Sequence, residues 1–319
     1  MYYIGIDLGG TNIATGLLTE EGRILAKRSV KTNAPRPEDE IIADMAASVE
    51  ALLSEQGIDI AKVHSIGVGT PGSVDPKSGT VLAACNLGFQ QTPIRQKLSR
   101  YFSVPIYVEN DANCATLAEA TVGAARGCDS VVMVTIGTGI GGGIVLGGKL
   151  YGGKNNFAGE FGHTILQADG EPCACGRRGC FETYASATAL IRDTKRAAES
   201  APDSLLWRCA EQEGKFSGRT AFEAARQGDR VAQTVVDRYI RFLALGCGNL
   251  IRIFQPDALV IGGGISHEGD GLFTPLRQQV YELAYGERVP ESKRTALLGA
   301  ALGNDAGIVG AAFLGKNNA

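Results

Sequence analysis

Basic charge is not in surplus in this 319-residue chain: 31 Lys and Arg stand against 34 Asp and Glu, for a formal net charge of −3. A nucleic-acid footprint needs clustered excess cations, so no nucleic-acid partner is expected. No uninterrupted apolar stretch approaches the roughly 18 residues that a membrane helix requires. The opening Met1-Tyr2-Tyr3-Ile4-Gly5 lacks the basic flank and apolar run of a signal peptide. The expectation is a protein of the reducing cytoplasm with no membrane partner. Its eight Cys, although even in number, therefore do not predict a disulfide framework. With 44% hydrophobic residues the chain can bury an ordinary core, and its length suits two domains.

What the sequence holds in surplus is glycine, 43 residues in all, with clusters at Gly9-Gly10, 67–72, 137–143, 147–153 and 262–264. Each cluster follows or interrupts an apolar run. Glycine at a strand end lets backbone amides approach a ligand, so the set points to phosphate handling; any single cluster reads equally as a tight turn.

Hydrophobic periodicity predicts strands over 3–8, 13–18 and 23–30, joined as an antiparallel meander. A helix over 38–56 follows, with Ile41, Ile42, Met45, Val49, Leu52 and Leu53 at helical spacing. Next come a strand at 63–69, a helix near 93–102, a strand at 106–109 and a helix beginning at Asp111 or just after. At Ser130 the pattern restarts, with strands over 131–136 and 143–146 around the turn Gly137-Thr138-Gly139. A helix over about 231–253, a strand at 258–261, the turn 262–264, a helix near 272–283, a strand near 295–298 and a helix near 305–314 complete the chain. Ile4 to Thr11 and Met133 to Gly139 both place a glycine turn between two short apolar strands, a weak repeat that suggests a duplicated α/β unit.

Two familiar motifs fail on context. Gly137 to Gly142 satisfies G-x-G-x-x-G, but a strand rather than a helix is expected after it. Gly143 to Lys149 spells most of a P-loop, but Leu150 has no hydroxyl for Mg²⁺.

Cys173, Cys175 and Cys180 crowd one segment, and His163 lies ten residues before the first. Gly176 and Gly179 let the chain turn the thiolates toward one point. The four form a Cys₃His set, the donor pattern of a closed structural zinc site with no position left for a reactive water. Three reduced, unliganded Cys beside an ordinary His are the alternative. Cys85, Cys114, Cys128, Cys209 and Cys247 read as small buried hydrophobes.

In order along the chain stand Asp7-Leu8-Gly9-Gly10-Thr11, Gly69-Thr70-Pro71-Gly72, Glu109-Asn110-Asp111-Ala112-Asn113, Gly137 to Gly143 and Glu160-Phe161-Gly162-His163. Cys173 to Glu182, Gly262-Gly263-Gly264 and Asn304 to Ala312 follow. Together they resemble the ROK family of bacterial sugar kinases and sugar-responsive repressors, from Asp7 to Ala312. The resemblance implies an α/β fold of the actin/hexokinase-like (ribonuclease H-like) type, duplicated into two lobes with an interlobe cleft. The expected division is 1–112 for a smaller N-terminal lobe and 113–302 for a larger lobe carrying the zinc. A C-terminal helix of about 303–319 would pack on the smaller lobe.

The resemblance also implies roles. ATP and Mg²⁺ would be held by Asp7, Gly9, Gly10, Thr11 and Asn12 on one side and by Gly137, Thr138 and Gly139 on the other, with Gly262, Gly263 and Gly264 along the adenosine. Asp111 would accept the proton of the attacking sugar hydroxyl. By itself Asp111 reads as a helix N-cap, and it can serve both purposes. Asn110, Asp111, Glu160, His163 and Glu182 would bind the sugar, with Gly72 and Asn86 as lesser contacts. Carboxylates and an amide suit a polyol, although Glu160 and Glu182 also fit plain surface carboxylates. Zinc on one nitrogen of His163 would fix the ring so that the other meets the sugar.

Family repressors carry a DNA-binding module ahead of the Asp-Leu-Gly-Gly-Thr segment, which here begins at residue 7, so a kinase is expected rather than a regulator. The Cys-rich segment and Asn86-Leu87-Gly88-Phe89 look most like glucokinases. N-acetylglucosamine and N-acetylmannosamine kinases are the alternatives, and fructokinases rank lower. Relatives of this kind are commonly dimers or tetramers, so a homo-oligomer is expected.

Overall fold

The computed structural model describes residues 1–286 and 288–317, and the chain divides into two compact units. The first takes residues 1–130, 143–159 and the chain from Ala301; the second takes 131–142 and 160–300. Residues 113–130 and 143–159 thus fall in the first unit, whereas the sequence places them in the larger lobe.

The first unit opens on the expected meander. β1 (Tyr2–Leu8), β2 (Asn12–Thr19) and β3 (Ile24–Lys31) pair antiparallel, with Ile6 opposite Thr15 and Thr15 opposite Arg28. β3 is largely exposed, as an edge strand can be. α1 (Glu38–Gln56) starts on three acidic residues that complement its dipole, and its predicted apolar stripe is buried. β4 (Val63–Thr70) lies parallel to β1. An antiparallel trio with no clear sequence signal comes next: β5 (Ser73–Asp75), β6 (Thr80–Ala84) and β7 (Phe89–Thr92). α2 (Ile94–Leu98) is shorter than its expected span, and β8 (Ile106–Asn110) then joins β4 in parallel and leads into α3 (Asp111–Thr121).

The second sheet restarts where the repeat does, with β9 (Val131–Ile136), β10 (Ile140–Leu146) and β11 (Lys149–Leu150). β10 begins three residues earlier than expected, so Gly141 and Gly142 lie in the strand together with Gly143. Packing explains them: a Cβ at Gly142 would stand 2.3 Å from the Phe161 ring, and one at Gly143 2.3 Å from Thr116 Oγ1. The helices α4 (Glu182–Ala185), α5 (Ala187–Ser200), α6 (Leu205–Gln212), α7 (Thr220–Arg226) and α8 (Arg230–Phe254) precede β12 (Ala258–Gly262). α9 (Asp270–Ala284) and β13 (Ala296–Gly299) follow.

The sheet orders are β3-β2-β1-β4-β8 and β11-β10-β9-β12-β13. In each, the first strand sits centrally, the second and third lie to one side, and the fourth and fifth to the other. This is the duplication that the repeated strand-turn-strand pattern suggests.

α10 (Ala306–Asn317) is preceded by a turn of 3₁₀ helix, Gly303–Asp305, and packs on β1, β4 and α3 within the first unit. Residues 318 and 319 of the expected C-terminal helix lie outside the described residues. A Cβ at Gly67 would stand 1.7 Å from the Ala311 carbonyl oxygen, and one at Gly310 1.7 Å from that of Cys114. Helix backbone therefore rests directly on sheet and helix backbone.

Cys114, Cys209 and Cys247 are buried, but Cys85 is exposed and Cys128 only half-buried. Cys85 belongs to the surface turn after β6, where Leu87 supplies the buried apolar group. Across 191–229 several basic side chains pair with acids, as in Arg196 with Glu171 and Arg226 with Glu268, both at 2.7 Å. Among the described residues no helix is long and apolar enough to cross a membrane.

Candidate active site

Parallel register brings the predicted residues of the first unit to one sheet edge. Asp7 on β1 lies opposite Gly69 on β4, and Gly69 opposite Glu109 on β8. Asp7, the loop from Thr70 to Gly72, and Asn110-Asp111 are thus all carried at carboxyl ends of parallel strands, where open α/β sheets bind ligands. The turn after Asp7 closes through the Gly9 amide on the Asn12 carbonyl at 2.9 Å. Thr32 braces it, donating its backbone N–H to Thr11 O at 2.9 Å and its hydroxyl to Gly9 O at 2.7 Å. Gly10 faces Asn86, whose carbonyl oxygen would lie 3.4 Å from a Cβ there. Thr32 carries no sequence signal for this role.

Asn110, and not Asp111, is the N-cap of α3. Its Oδ1 accepts from Ala112 N at 2.9 Å and Asn113 N at 3.2 Å, and its Nδ2 donates to Gly72 O at 3.1 Å. The extended backbone at Asn110 aims the cap, which leaves Asp111 as the first helical residue with one oxygen on Ala112 N at 2.8 Å. Burial raises the Asp111 carboxyl above the ordinary aspartate value, against the hydrogen bonds that lower it. Burial first, and the Asp111 charge second, push Asp7 up to about 6.

In the second unit the turn Gly137-Thr138-Gly139 is held by the start of α5. Ala187 N donates to Gly137 O at 3.0 Å, and the Thr188 hydroxyl donates to Thr138 O at 2.7 Å. Glu182, the first residue of α4, accepts the Ile140 N–H on Oε2 at 2.9 Å, and that oxygen would lie 2.3 Å from a Cβ at Gly139. Gly262 ends β12 opposite Thr135 of β9. At Gly263 the backbone takes φ +92°, and a Cβ would strike Ile136 O at 2.0 Å. The turns 137–139 and 262–264 therefore stand side by side at the ends of adjacent parallel strands.

Glu160 is exposed and caps a 3₁₀ turn, Phe161–His163, accepting His163 N on its carbonyl at 3.1 Å. His163, Cys173, Cys175 and Cys180 present ligand atoms that all lie within 4.8 Å of one another. Cys173 Sγ is 3.7 Å from His163 Nδ1, and Cys175 Sγ is 3.7 Å from Cys180 Sγ. A tetrahedral ion with metal–sulfur bonds of about 2.3 Å needs edges of about 3.8 Å, so the set fits zinc. The knuckle closes through Cys173 N on Arg177 O at 2.8 Å and Gly176 N on Cys173 O at 3.0 Å. Cys180 lies two residues before Glu182, so this loop also sets where α4 begins.

The model for the ROK family matches residues 3–318. The chain is 36% identical over 316 residues to a glucokinase of Halalkalibacterium halodurans, covering 99% of this chain and 95% of that protein. It is 38% identical over 314 residues to a glucokinase of Thermotoga maritima, covering 98% and 96%. A solved ROK family glucokinase from Streptomyces griseus, in complex with glucose and AMPPNP, matches with a TM-score of 0.80 and 39% identity, covering 98% of this chain and 99% of that one. Family match, relatives and architecture agree along the whole length: the chain belongs to the ROK family and has its actin/hexokinase-like two-lobe fold.

Proposed function

We propose that this chain is a glucokinase, transferring the γ-phosphoryl group of ATP to a hydroxyl of glucose to give glucose 6-phosphate. The observation that carries the reading is its likeness, over 98% of its length, to a glucokinase solved with glucose and AMPPNP.

In this reading the sugar oxygen forms the new bond to the γ-phosphorus, the bond to the β–γ bridging oxygen breaks, and ADP leaves with its electron pair. Asp111 takes the hydroxyl proton; positioning and charge neutralisation supply most of the acceleration. Asn110 is held in place, its Oδ1 capping α3 and its amide N–H groups donating to Gly72 O and toward the Asp111 carboxylate, so that it would present its amide edge to a sugar oxygen. Glu182 likewise keeps Oε1. Glu160 and His163, with Gly72 and Asn86, complete the sugar set. Gly9 to Asn12 and Gly137 to Gly139 would face the phosphates, and Gly262 to Gly264 the adenosine.

Mg²⁺ at Asp7 would supply neutralisation of phosphate charge when bound. A carboxyl pushed up to about 6 by burial and a neighbouring carboxylate is relieved by a cation, which supports that placement. Zinc at His163, Cys173, Cys175 and Cys180 would be structural. With Nδ1 toward the sulfurs, Nε2 is left for a sugar hydroxyl. Thiol ligands suit a reducing cytoplasm, where we place the protein as a homo-oligomer.

The test is a panel of glucose, N-acetylglucosamine, N-acetylmannosamine, mannose and fructose assayed with ATP and Mg²⁺. Glucose is expected to have the highest kcat/KM. Preference for an N-acetylhexosamine would overturn the substrate, and no turnover of any sugar would overturn the kinase.

A further inference from the structure

We infer that Glu109 is a positioning residue of this site: it fixes the Asn110-Asp111 turn and, through Asn156, anchors the segment that runs into Glu160. The kinetic consequences rest on the kinase reading above; the geometry does not.

Glu109 is the penultimate residue of β8 and only 6% exposed. Three donors converge on its Oε1: the backbone N–H of Asn110 at 2.8 Å, Asn113 Nδ2 at 3.0 Å and Asn156 Nδ2 at 2.8 Å. Among the described residues no ion pair includes it. A carboxylate taken out of water needs compensation, and here neutral N–H groups aimed at one oxygen supply it. Two of the three donors belong to the turn that carries Asp111. Asn110 supplies the cap, and Asn113, whose own backbone N–H the cap receives, sits in the first helical turn. Glu109 therefore ties strand end, cap and helix start into one rigid piece.

The third donor reaches 47 residues along the chain. Asn156 takes the left-handed backbone, φ 59°, and also donates Nδ2 to Val74 O at 3.2 Å. Its Oδ1 lies 1.9 Å from where a Cβ on Gly152 would be, so the loop folds back on this side chain. Everything Asn156 touches here belongs to the first unit, yet at Glu160, four residues on, the chain re-enters the second. The side chain thus holds the segment close to where it leaves the first unit, and its hold runs through the same oxygen that orders the Asp111 turn. Loss of that oxygen should disturb both the base and the approach to Glu160.

A purely structural Glu109 would lower stability and leave the kinetics of the folded protein alone. Positioning predicts a split among Asn156→Ala, Glu109→Ala and Glu109→Gln, assayed with glucose and ATP. We expect Asn156→Ala to raise KM for glucose about tenfold with the smaller effect on kcat, and Glu109→Ala to lower kcat as well, by about 10²-fold. Glu109→Gln keeps an accepting oxygen and should recover to within about threefold of the parent. Hydrogen–deuterium exchange should show faster exchange over 152–159 in both alanine variants and near-parent exchange in Glu109→Gln. Parent-like kinetics in folded Glu109→Ala and Asn156→Ala, or unchanged exchange over 152–159, would overturn the inference. Should Glu109→Ala not fold, Asn156→Ala decides by its KM and its exchange. A parent chain that phosphorylates no sugar defeats the kinase reading, while the exchange comparison still decides the anchor.

Discussion

Asp7 near the end of β1 and Asp111 just past the end of β8 stand at the carboxyl ends of parallel strands of one sheet, and the charge of Asp111 adds to burial in holding the Asp7 carboxyl at about 6. A carboxyl whose pKa is higher in the fold than in the unfolded chain binds its proton more tightly when folded. The fold therefore loses stability as pH rises from about 4 to about 6 and Asp7 ionises. In protein free of Mg²⁺, Asp7→Asn should raise Tm at about pH 7.5 and change it little at about pH 4. Calorimetry of both chains across that range checks the sign; a difference independent of pH would reject it.

Asp111→Asn removes the carboxylate proposed as proton acceptor but keeps the shape of the first turn of α3. Its kcat should fall by at least about 10²-fold, while glucose still protects the folded chain against heat. Near-parent turnover would remove Asp111 from the role of base.

Zinc analysis of gently purified protein should find one ion per chain. Cys175→Ser should lose it, melt at lower temperature, and show a raised KM for the sugar, because the His163 ring is no longer held. Fully active protein without zinc would count against the site.

Gly67→Ala places a methyl group 1.7 Å from the Ala311 carbonyl oxygen, between β4 and α10. Neither backbone can retreat without breaking its own hydrogen bonds, so a loss of at least about 3 kcal/mol is expected in urea unfolding. Gly271→Ala is the contrast: exposed at the start of α9, with open space around it, it should gain about 0.5 kcal/mol.

Much of this protein is local and could be read directly from its chain. Strand alternation, helical spacing, the glycine turns after Leu8 and Ile136, and the Cys₃His spacing, 163 to 180, all depend on neighbours close along the chain. Their placement therefore survives folding. Tertiary structure decided what depends on distant partners. It made Asn110 the cap because Gly72, 38 residues away, holds its amide. It extended β10 back over Gly141 and Gly142, and it packed Gly142 and Gly143 where Phe161 and Thr116 leave no room for a side chain. It gave Glu109 its partner Asn156, and it gave the fully buried Glu119 the amides of Ala301 and Leu302, more than 180 residues on. A buried carboxylate and an exposed one look alike in sequence; only packing, which removes water and supplies particular N–H groups, tells them apart.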